Sequence, residues 1–219
     1  MLAILGAIQR HLGDPAAEAT LRRSLELDPA NDEAHISLAR ALDGDKPLEA
    51  IEHLRRALEI APDAHDVRRE LGELLWRLKK FDEAAVVLKQ AVGEDSTDAW
   101  SHEYLGYIYE QQEDWIAAKA AFLRATQLQP GIGTFWRFLA DACAMLDERE
   151  TAERHYLKAL SLGVDDAITN ARYGLLLKRS GHFRRARAYL KRAVDLDPAQ
   201  AKAREALEHL RHGGKKDTE

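Results

Sequence analysis

A proline that follows a helix-like stretch recurs along this chain at an almost constant interval. Pro62 follows Pro29 by one period of roughly 34 residues, and Pro130 and Pro198 each come two such periods after the proline before them. A fixed period of this length is the signature of a repeat architecture, in which each unit packs mainly on its neighbours. The chain is therefore predicted to consist of stacked repeats.

The midpoints of the two long intervals locate the turns that lack a proline. Ser96 and Val164 stand there. The predicted repeats are 1–29, 30–62, 63–96, 97–130, 131–164 and 165–198. The amphipathic stretch 199–212 is expected to form a helix that caps the last repeat, as repeat arrays require. These elements predict one domain over residues 1–212, followed by a flexible tail, 213–219.

Two further markers share the same period. A large residue precedes a small one at Leu5-Gly6, Leu38-Ala39, Leu71-Gly72, Leu105-Gly106, Leu139-Ala140 and Tyr173-Gly174. A pair of small residues seven positions apart then follows in every repeat: Ala17 and Ser24, Ala50 and Ala57, Ala84 and Ala91, Ala118 and Ala125, Ala152 and Ala159, Ala186 and Ala193. Small residues at fixed helical positions let two helix axes approach closely. Each repeat is therefore predicted to be a helical hairpin.

The first two repeats are one residue shorter between the large residue and the alanine. Leu38 and Ala50, for example, are one position closer together than Leu71 and Ala84. Since Pro15 and Pro47 stand between the two markers, where a missing N–H does little harm, we expect a shorter turn between the helices of these two hairpins.

The three markers together resemble the tetratricopeptide repeat, whose pattern is Trp-x-x-Leu-Gly-x-x-Tyr, then Ala-x-x-x-Phe, then Pro. The fourth repeat has Leu105-Gly106-x-x-Tyr109, Ala118-x-x-x-Phe122 and Pro130, and Trp136-x-x-Leu139 fills the tryptophan position in the fifth. The resemblance implies an all-α fold: a right-handed superhelical solenoid of six helix-turn-helix repeats plus a C-terminal capping helix. It also implies a scaffold that binds a protein or peptide in a concave groove.

The composition excludes several other classes of protein. With 32% charged residues, charges interrupt every apolar stretch well before the length of a transmembrane helix. Cys143 is the only cysteine, so no internal disulfide can form, which fits a cytoplasmic location. The net charge of -5 is uneven, because residues from Asn170 onward include 13 Lys and Arg against 6 Asp and Glu.

No group of residues has the pattern of a catalytic or metal site. Cys143 lies one helical turn after the core residue Leu139, so a buried thiol is expected. His209 and His212 could share a helix face, but no further metal ligands stand near them. The adjacent acids Glu113 and Asp114 fall in a turn between helices. The sequence thus predicts no enzyme, no cofactor and no metal.

The side of each first helix that faces away from the core can be located by counting. Because an α-helix turns about 100° per residue, residues three before, one after and four after the large residue share its buried side. Residues two and five positions to either side of it lie on another side, which lines the groove in proteins that this chain resembles. We call that side, with the immediate neighbours of the core stripe, the groove face. Its predicted members are Arg69, Glu73, Trp76 and Arg77 in the third repeat, Trp100, Glu103, Tyr104, Tyr107 and Glu110 in the fourth, Arg137, Phe138, Asp141 and Met145 in the fifth, and Arg172, Leu175, Lys178 and Arg179 in the sixth.

Five of these side chains are aromatic, and two interpretations are open for them. Tyr104 and Phe138 flank the core stripe, so filling space between neighbouring first helices is as good an explanation as ligand contact. Trp76, Trp100 and Tyr107 lie farther from the stripe, and truncating them is expected to leave the hairpins intact. Aromatic residues interspersed with arginine dominate interface hot spots, so these three are predicted to contact an extended or helical peptide.

One known ligand of the family is not expected. Chaperone-binding members hold a C-terminal carboxylate with Lys two before and Asn two after the leucine, and with further Asn and Lys in the next repeats. This sequence has Arg69 and Glu73, Glu103 and Tyr107, and Arg137 and Asp141 at those places. The carboxylate clamp for a chaperone tail is therefore predicted to be absent.

Three functions compete at this level. The leading prediction is a non-catalytic scaffold that binds a protein or peptide. The second is the repeat region of a larger enzyme, such as a glycosyltransferase or sulfotransferase. The third is binding of nucleic acid or an anionic membrane by the basic last hairpin, with Arg184, Arg185, Arg187, Lys191 and Arg192. The net acidic charge of the chain opposes nucleic-acid binding. Neither the partner nor the oligomeric state follows from the sequence.

Overall fold

The structure, a computed structural model, describes residues 1–94 and 97–213. Ser96, the side chain of His212 and the tail beyond Gly213 lie outside the described residues. The described part of the chain forms helices and no strand. The helices are α1 (Leu2–His11), α2 (Ala17–Leu27), α3 (Asp32–Leu42), α4 (Pro47–Ile60), α5 (His65–Arg77), α6 (Phe81–Glu94), α7 (Ala99–Gln111), α8 (Trp115–Leu128), α9 (Gly133–Met145), α10 (Arg149–Ser161), α11 (Ala167–Arg179), α12 (Phe183–Leu196) and α13 (Ala201–Gly213).

The chain divides into two compact units, residues 1–108 and 109–219. In the first unit, α1 packs on α2, α3 on α4 and α5 on α6, and each hairpin also contacts the next through α2 and α3 or α4 and α5. In the second unit, α9 packs on α10 and α11 on α12, with α8 against α9. The predicted all-α fold of stacked helical hairpins is confirmed.

Helix α13 takes the place of a next repeat in the second unit. It packs on both α11 and α12 through Ala203, Ala206, Leu207 and Leu210, which are all buried. Arg187 of α12 donates a hydrogen bond to the carbonyl oxygen of Leu210, 2.6 Å away. The expected capping helix is thus present.

The proline of the repeat has a partner six residues later. The carbonyl oxygen of Pro130 accepts a hydrogen bond from the indole N–H of Trp136 at 2.9 Å, and that of Pro62 accepts one from Arg68 at 2.5 Å. In the second repeat His35 Nε2 lies 3.1 Å from the carbonyl oxygen of Pro29. Since a carbonyl can only accept, this nitrogen carries the proton. The residue six positions after each of these prolines therefore has a side-chain N–H that donates to the carbonyl oxygen of the proline.

The turns inside the later hairpins follow a common backbone design. Lys79, Glu113, Asp147 and Gly181 recur with the period of the repeat, and each has a positive φ, between 58° and 79°. The second helix begins shortly after this residue, and in the fourth hairpin Asp114 Oδ1 accepts a hydrogen bond from the Ala117 N–H at 3.0 Å. Asp114 thus caps α8, and Glu113 is the positive-φ residue of the turn.

The expectation of a shorter turn in the first two hairpins was wrong. Helix α3 ends at Leu42 and α4 begins at Pro47, whereas α5 ends at Arg77 and α6 begins at Phe81. Relative to the large residue of its repeat, α3 therefore ends two residues earlier than α5. The second repeat is one residue shorter because α3 lacks part of its last turn. Pro47 favours the first position of a helix and so sets where α4 starts.

The small residues of the repeat are buried where the two helices of a hairpin meet. All twelve small residues of the third marker, the pairs seven positions apart, are buried. A Cβ placed on Gly72 would lie 2.5 Å from side-chain atoms of Leu88, and one on Gly6 would lie 2.5 Å from Leu21. These distances are far below ordinary van der Waals contact, so the glycines let the leucine of the second helix rest on the backbone of the first.

We expect Gly72→Ala to destabilise the protein although alanine is the better helix former. The propensity gain is about 1 kcal/mol, whereas forcing a methyl group into a packed contact costs about 1 to 3 kcal/mol. Denaturant unfolding should therefore give a net loss. Gly93→Ala is the matched control, because among the described residues no atom outside the neighbouring turns of its own helix lies within 4 Å of its Cβ position, and it should be neutral or slightly stabilising. Equal effects of the two substitutions would show that the contact with Leu88 does not limit the space at position 72.

Candidate partner-binding face

In the first unit, the groove face is dominated by an aromatic cluster of Trp76, Tyr104 and Tyr107. The ring of Trp76 on α5 stacks on Tyr107 of α7 with centroids 5.2 Å apart, and it lies 5.5 Å from the ring of Tyr104. The two tyrosine rings meet edge to face at 5.9 Å. All three side chains are half-buried. The cluster therefore joins two successive first helices.

Carboxylates hold the polar ends of this cluster. The Tyr107 hydroxyl donates a hydrogen bond to Glu103 at 2.6 Å. Burial raises the pKa of Tyr104 well above its usual value, and the nearby Glu73 carboxylate raises it further. Arg69 pairs with Asp98 at 3.5 Å. The Tyr104 hydroxyl thus stays neutral at physiological pH.

Two other predicted members of this surface differ in exposure. Trp100, on the first turn of α7, keeps 38% of its surface exposed. Arg77 is also exposed and forms an ion pair with Asp43. Trp100 is thus the aromatic side chain of the set that is most accessible in the first unit.

The stacking changes the expectation for Trp76. Trp76→Ala removes two aromatic contacts and leaves a gap between α5 and α7, so we expect it to lower the free energy of unfolding by about 1 to 3 kcal/mol. Trp100→Ala, at the exposed position, should cost less than half of that. Thermal unfolding of the two variants checks the difference. Equal melting temperatures would mean that the cluster does not stabilise the fold.

In the second unit, Asp141 is the centre of a buried polar network. It lies on α9, and its Oδ1 accepts a hydrogen bond of 2.5 Å from the Tyr156 hydroxyl of α10. Its Oδ2 pairs with Arg172 of α11 and lies 3.6 Å from Arg137. The guanidinium of Arg137 also sits 4.0 Å above the ring of Phe138. One carboxylate therefore links three consecutive helices.

Burial raises the pKa of Asp141 to about 6, although Arg172, Tyr156 and Arg137 all act to lower it. A carboxyl group with a raised pKa binds its proton more tightly in the folded state than in the unfolded state. Its contribution to stability is therefore full below the unfolded pKa, near 4, and is lost as the pH rises through about 6.

This gives a pH-dependent prediction. The free energy of unfolding of the wild type, minus that of Asp141→Asn, should fall by about 2 to 3 kcal/mol between pH 4 and pH 7. Taking the difference removes the contribution of the other carboxylates, most of which have the opposite pH dependence. Urea unfolding across this range measures it. A difference that is constant or rises with pH would show that Arg172 and Tyr156 keep the carboxylate ionised throughout.

Above this network lies an open cleft of about 570 Å³, which we call the α9–α13 cleft. Asp141 and Tyr156 form its floor, and apolar side chains form much of its wall. Met145 keeps 54% and Ile168 46% of their surface exposed. Its lining residues are Glu110, Trp115, Asp141, Ala144, Met145, Tyr156, Ile168, Ala171, Arg172, Leu175, Leu176, Arg179, Gln200 and Lys202. Its size and mixed lining are those of a binding site.

The cleft continues between α11 and α13. A smaller cavity there shares Leu175 and Lys202 with the α9–α13 cleft and is lined also by Lys178, Glu205, Ala206 and His209. The structure thus brings Asp141, Met145, Arg172, Leu175, Lys178 and Arg179 of the predicted groove face to one continuous cleft. Phe138 instead stacks on Phe122 of α8, with centroids 5.4 Å apart, in agreement with its space-filling interpretation.

Among the lining residues that the sequence analysis missed, three could have been found by the same counting. Ile168 stands five positions before Tyr173. Leu207 of the cap stands one full repeat period after Tyr173, in the place of the large residue of a seventh repeat. Counting from Leu207 gives Lys202 five before and His209 two after. The cap therefore contributes to the groove face like any first helix.

Comparisons with known proteins agree with the repeat and its geometry. Family profiles described as tetratricopeptide repeat match residues 12–65 and 105–167, 42–102, and 168–200. The first of these profiles alone covers more than half of the chain. The chain belongs to the tetratricopeptide repeat family.

Among its relatives is the type IV pilus assembly protein PilF of Pseudomonas aeruginosa, which is 31% identical over 201 residues covering 80% of this chain and 77% of PilF. A solved structure from the functional characterisation of that PilF superposes with a TM-score of 0.80 at 24% identity, covering 93% of this chain and 94% of the other. PilW, a type IV pilus biogenesis factor, superposes with a TM-score of 0.76 at 22% identity, over 94% and 96% of the two chains.

One human relative has the name of an enzyme. Protein O-mannosyl-transferase TMTC1 is 26% identical over 213 residues, which cover 94% of this chain but only 24% of the relative. The likeness is therefore confined to about a quarter of that protein.

In this tetratricopeptide repeat protein, most positions of the chaperone clamp are occupied by side chains that pair with one another. Glu103 accepts from Tyr107, and Arg137 faces Asp141. The absence of a carboxylate clamp for a chaperone tail stays a prediction.

The structure also bears on the reactivity of Cys143, on metal binding and on membrane-spanning helices. Cys143 is buried, and burial raises the pKa of its thiol to about 11, so it is almost entirely protonated at neutral pH. Within residues 1–94 and 97–213, no three His, Cys, Asp or Glu side chains form a group that could hold a metal ion. None of the helices in this part of the chain is long and apolar enough to span a bilayer.

The basic last hairpin is largely neutralised by its own neighbours. Arg185 pairs with Glu153 at 2.6 Å and Arg192 with Asp165 at 2.7 Å. Lys191 pairs with Asp195 at 3.1 Å, and Arg187 donates to a backbone carbonyl. Three of the five basic side chains predicted for anion binding thus pair with carboxylates, whereas the carbonyl oxygen beside Arg187 does not neutralise its charge.

Proposed function

We propose that this tetratricopeptide repeat protein is a non-catalytic scaffold that binds a partner protein through the groove face of its first helices. The α9–α13 cleft carries the proposal, because it combines exposed apolar walls with charged groups at its rim, as peptide-binding surfaces do. It is formed by the helices that the repeat pattern assigns to ligand binding. The groove residues predicted from the sequence, including Trp76, Trp100 and Tyr107, belong to the same proposal.

The relation to PilF favours the assembly of type IV pili as the setting. PilF is described as a pilus assembly protein, and the two sequences align over 77% of its length. The partner would then be a component of that assembly. The cytoplasmic location inferred from the single cysteine stays a prediction.

Site-specific crosslinking tests the proposal. A photoreactive benzoylphenylalanine in place of Leu175 lies in the cleft, whereas the same residue in place of Leu157, an exposed leucine of α10, lies outside it. In cells of the source organism, we expect a discrete crosslinked protein from position 175 and not from position 157.

The captured protein is then purified and titrated. Ile168→Ala should weaken its binding by roughly tenfold or more, as expected for an interface hot spot, without lowering the melting temperature. Equal crosslinking from both positions, or unchanged affinity of the Ile168 variant, would place the interface elsewhere.

The rival candidate, a repeat region within a larger enzyme, is favoured by the match to TMTC1 over 94% of this chain. The sequence of the full gene decides between the two. A catalytic domain in the same reading frame would support the rival.

A further inference from the structure

Two lysines of the cleft have no ion-pair partner in the part of the chain that the structure describes. Lys178 of α11 and Lys202 of α13 line the same cavity, and neither forms an ion pair within the residues that the structure describes. The arginines nearby are engaged, since Arg172 pairs with Asp141 and Arg179 with Asp147. The α11–α13 part of the cleft therefore has positive charge that the fold does not use.

The acidic groups of the cleft lie mostly at its other end. Asp141 is bound by Tyr156 and Arg172, and Glu110 lines the part of the cleft that contains Asp141 but not the cavity between α11 and α13. At the lysine end, Glu205 faces His209 of its own helix at 3.9 Å. The two ends thus differ in charge, and a bound chain would be oriented by that difference.

Apolar side chains lie between the lysines and the buried network. Leu175 borders both cavities, and Met145 and Ile168 are about half exposed. A free phosphate or a nucleic-acid backbone would gain nothing from these groups. A peptide with a large apolar side chain beside acidic residues would use both the apolar wall and the lysines.

We propose that the α11–α13 part of the cleft binds an acidic peptide segment of the partner protein. An apolar side chain of that segment packs on Leu175 and Ile168, and neighbouring Asp or Glu side chains pair with Lys178 and Lys202. This inference rests on the proposed function, since it names the chemistry of the segment that the groove face binds. The charge complementarity of two otherwise unpaired lysines identifies the occupant.

The test is a selection from a phage-displayed library of random dodecapeptides against the full chain. Enriched peptides should contain Asp or Glu next to Leu, Ile, Met, Phe or Trp. The most enriched peptide is then synthesised with a fluorescent label and titrated by anisotropy. We expect the double variant Lys178→Glu, Lys202→Glu to bind it roughly tenfold or more weakly than the wild type.

The control is Arg184→Glu with Arg204→Glu. Both residues are exposed and have no ion pair among the described residues, they do not line the cleft, and the double variant changes the net charge by the same amount. Its affinity should stay within about twofold of the wild type, because neither side chain lines the cleft and surface charges outside it are screened by salt. Equal weakening of both double variants would overturn the proposal, since the effect would then be one of overall charge.

Other outcomes of these experiments would also overturn the acidic-peptide proposal. Enrichment of basic or neutral peptides that still crosslink through position 175 would overturn the acidic ligand and leave the groove-binding function standing. Displacement of the peptide by a single-stranded oligonucleotide at equal concentration would overturn it too, by identifying a general polyanion site. If no library peptide binds the cleft, both this inference and peptide binding by the groove face fail.

Discussion

The close approach of the two helices in each hairpin is the contact on which the rest of the structure depends. Gly6, Gly72 and Gly174 have no room for a Cβ because a leucine of the second helix lies against their backbone. With the helices this close, the small residues of the second helix are buried, and the first helix turns its remaining side outward. The groove face is thus a consequence of hairpin packing.

The fold could be predicted because this contact tolerates so few residue types. A glycine or alanine at the same place in every repeat is visible in the sequence, and it fixes both the helices and their order. The lengths of the turns could not be predicted in the same way. The spacing from Leu38 to Ala50 counts residues between two packing contacts, but it does not say whether helix or turn is shortened, and Pro47 decides that locally.

The candidate site was predictable in its position and less so in its contacts. Counting from the large residue placed Asp141 and Arg172 on one side of their helices, but the bond to Tyr156 comes from a second helix, 15 residues away. Likewise, the period gives no sign that Trp76 stacks on Tyr107. Such pairings depend on side-chain length and on the distance between helices, which a pattern of residue types does not contain.

Among the first helices that the structure describes, α13 has the exposed side that packing constrains least. It buries one side against α11 and α12, and no second helix or following hairpin within the described residues covers the rest, so Lys202, Arg204, Glu205 and Glu208 are all exposed. A chain shortened at Pro198 would keep the described helices before α13 and lose one wall of the cleft. If the cleft binds a partner as proposed, substitutions on the cleft side of α13 would change the ligand without disturbing the described hairpins, so this helix is where binding specificity would diverge at the least cost in stability.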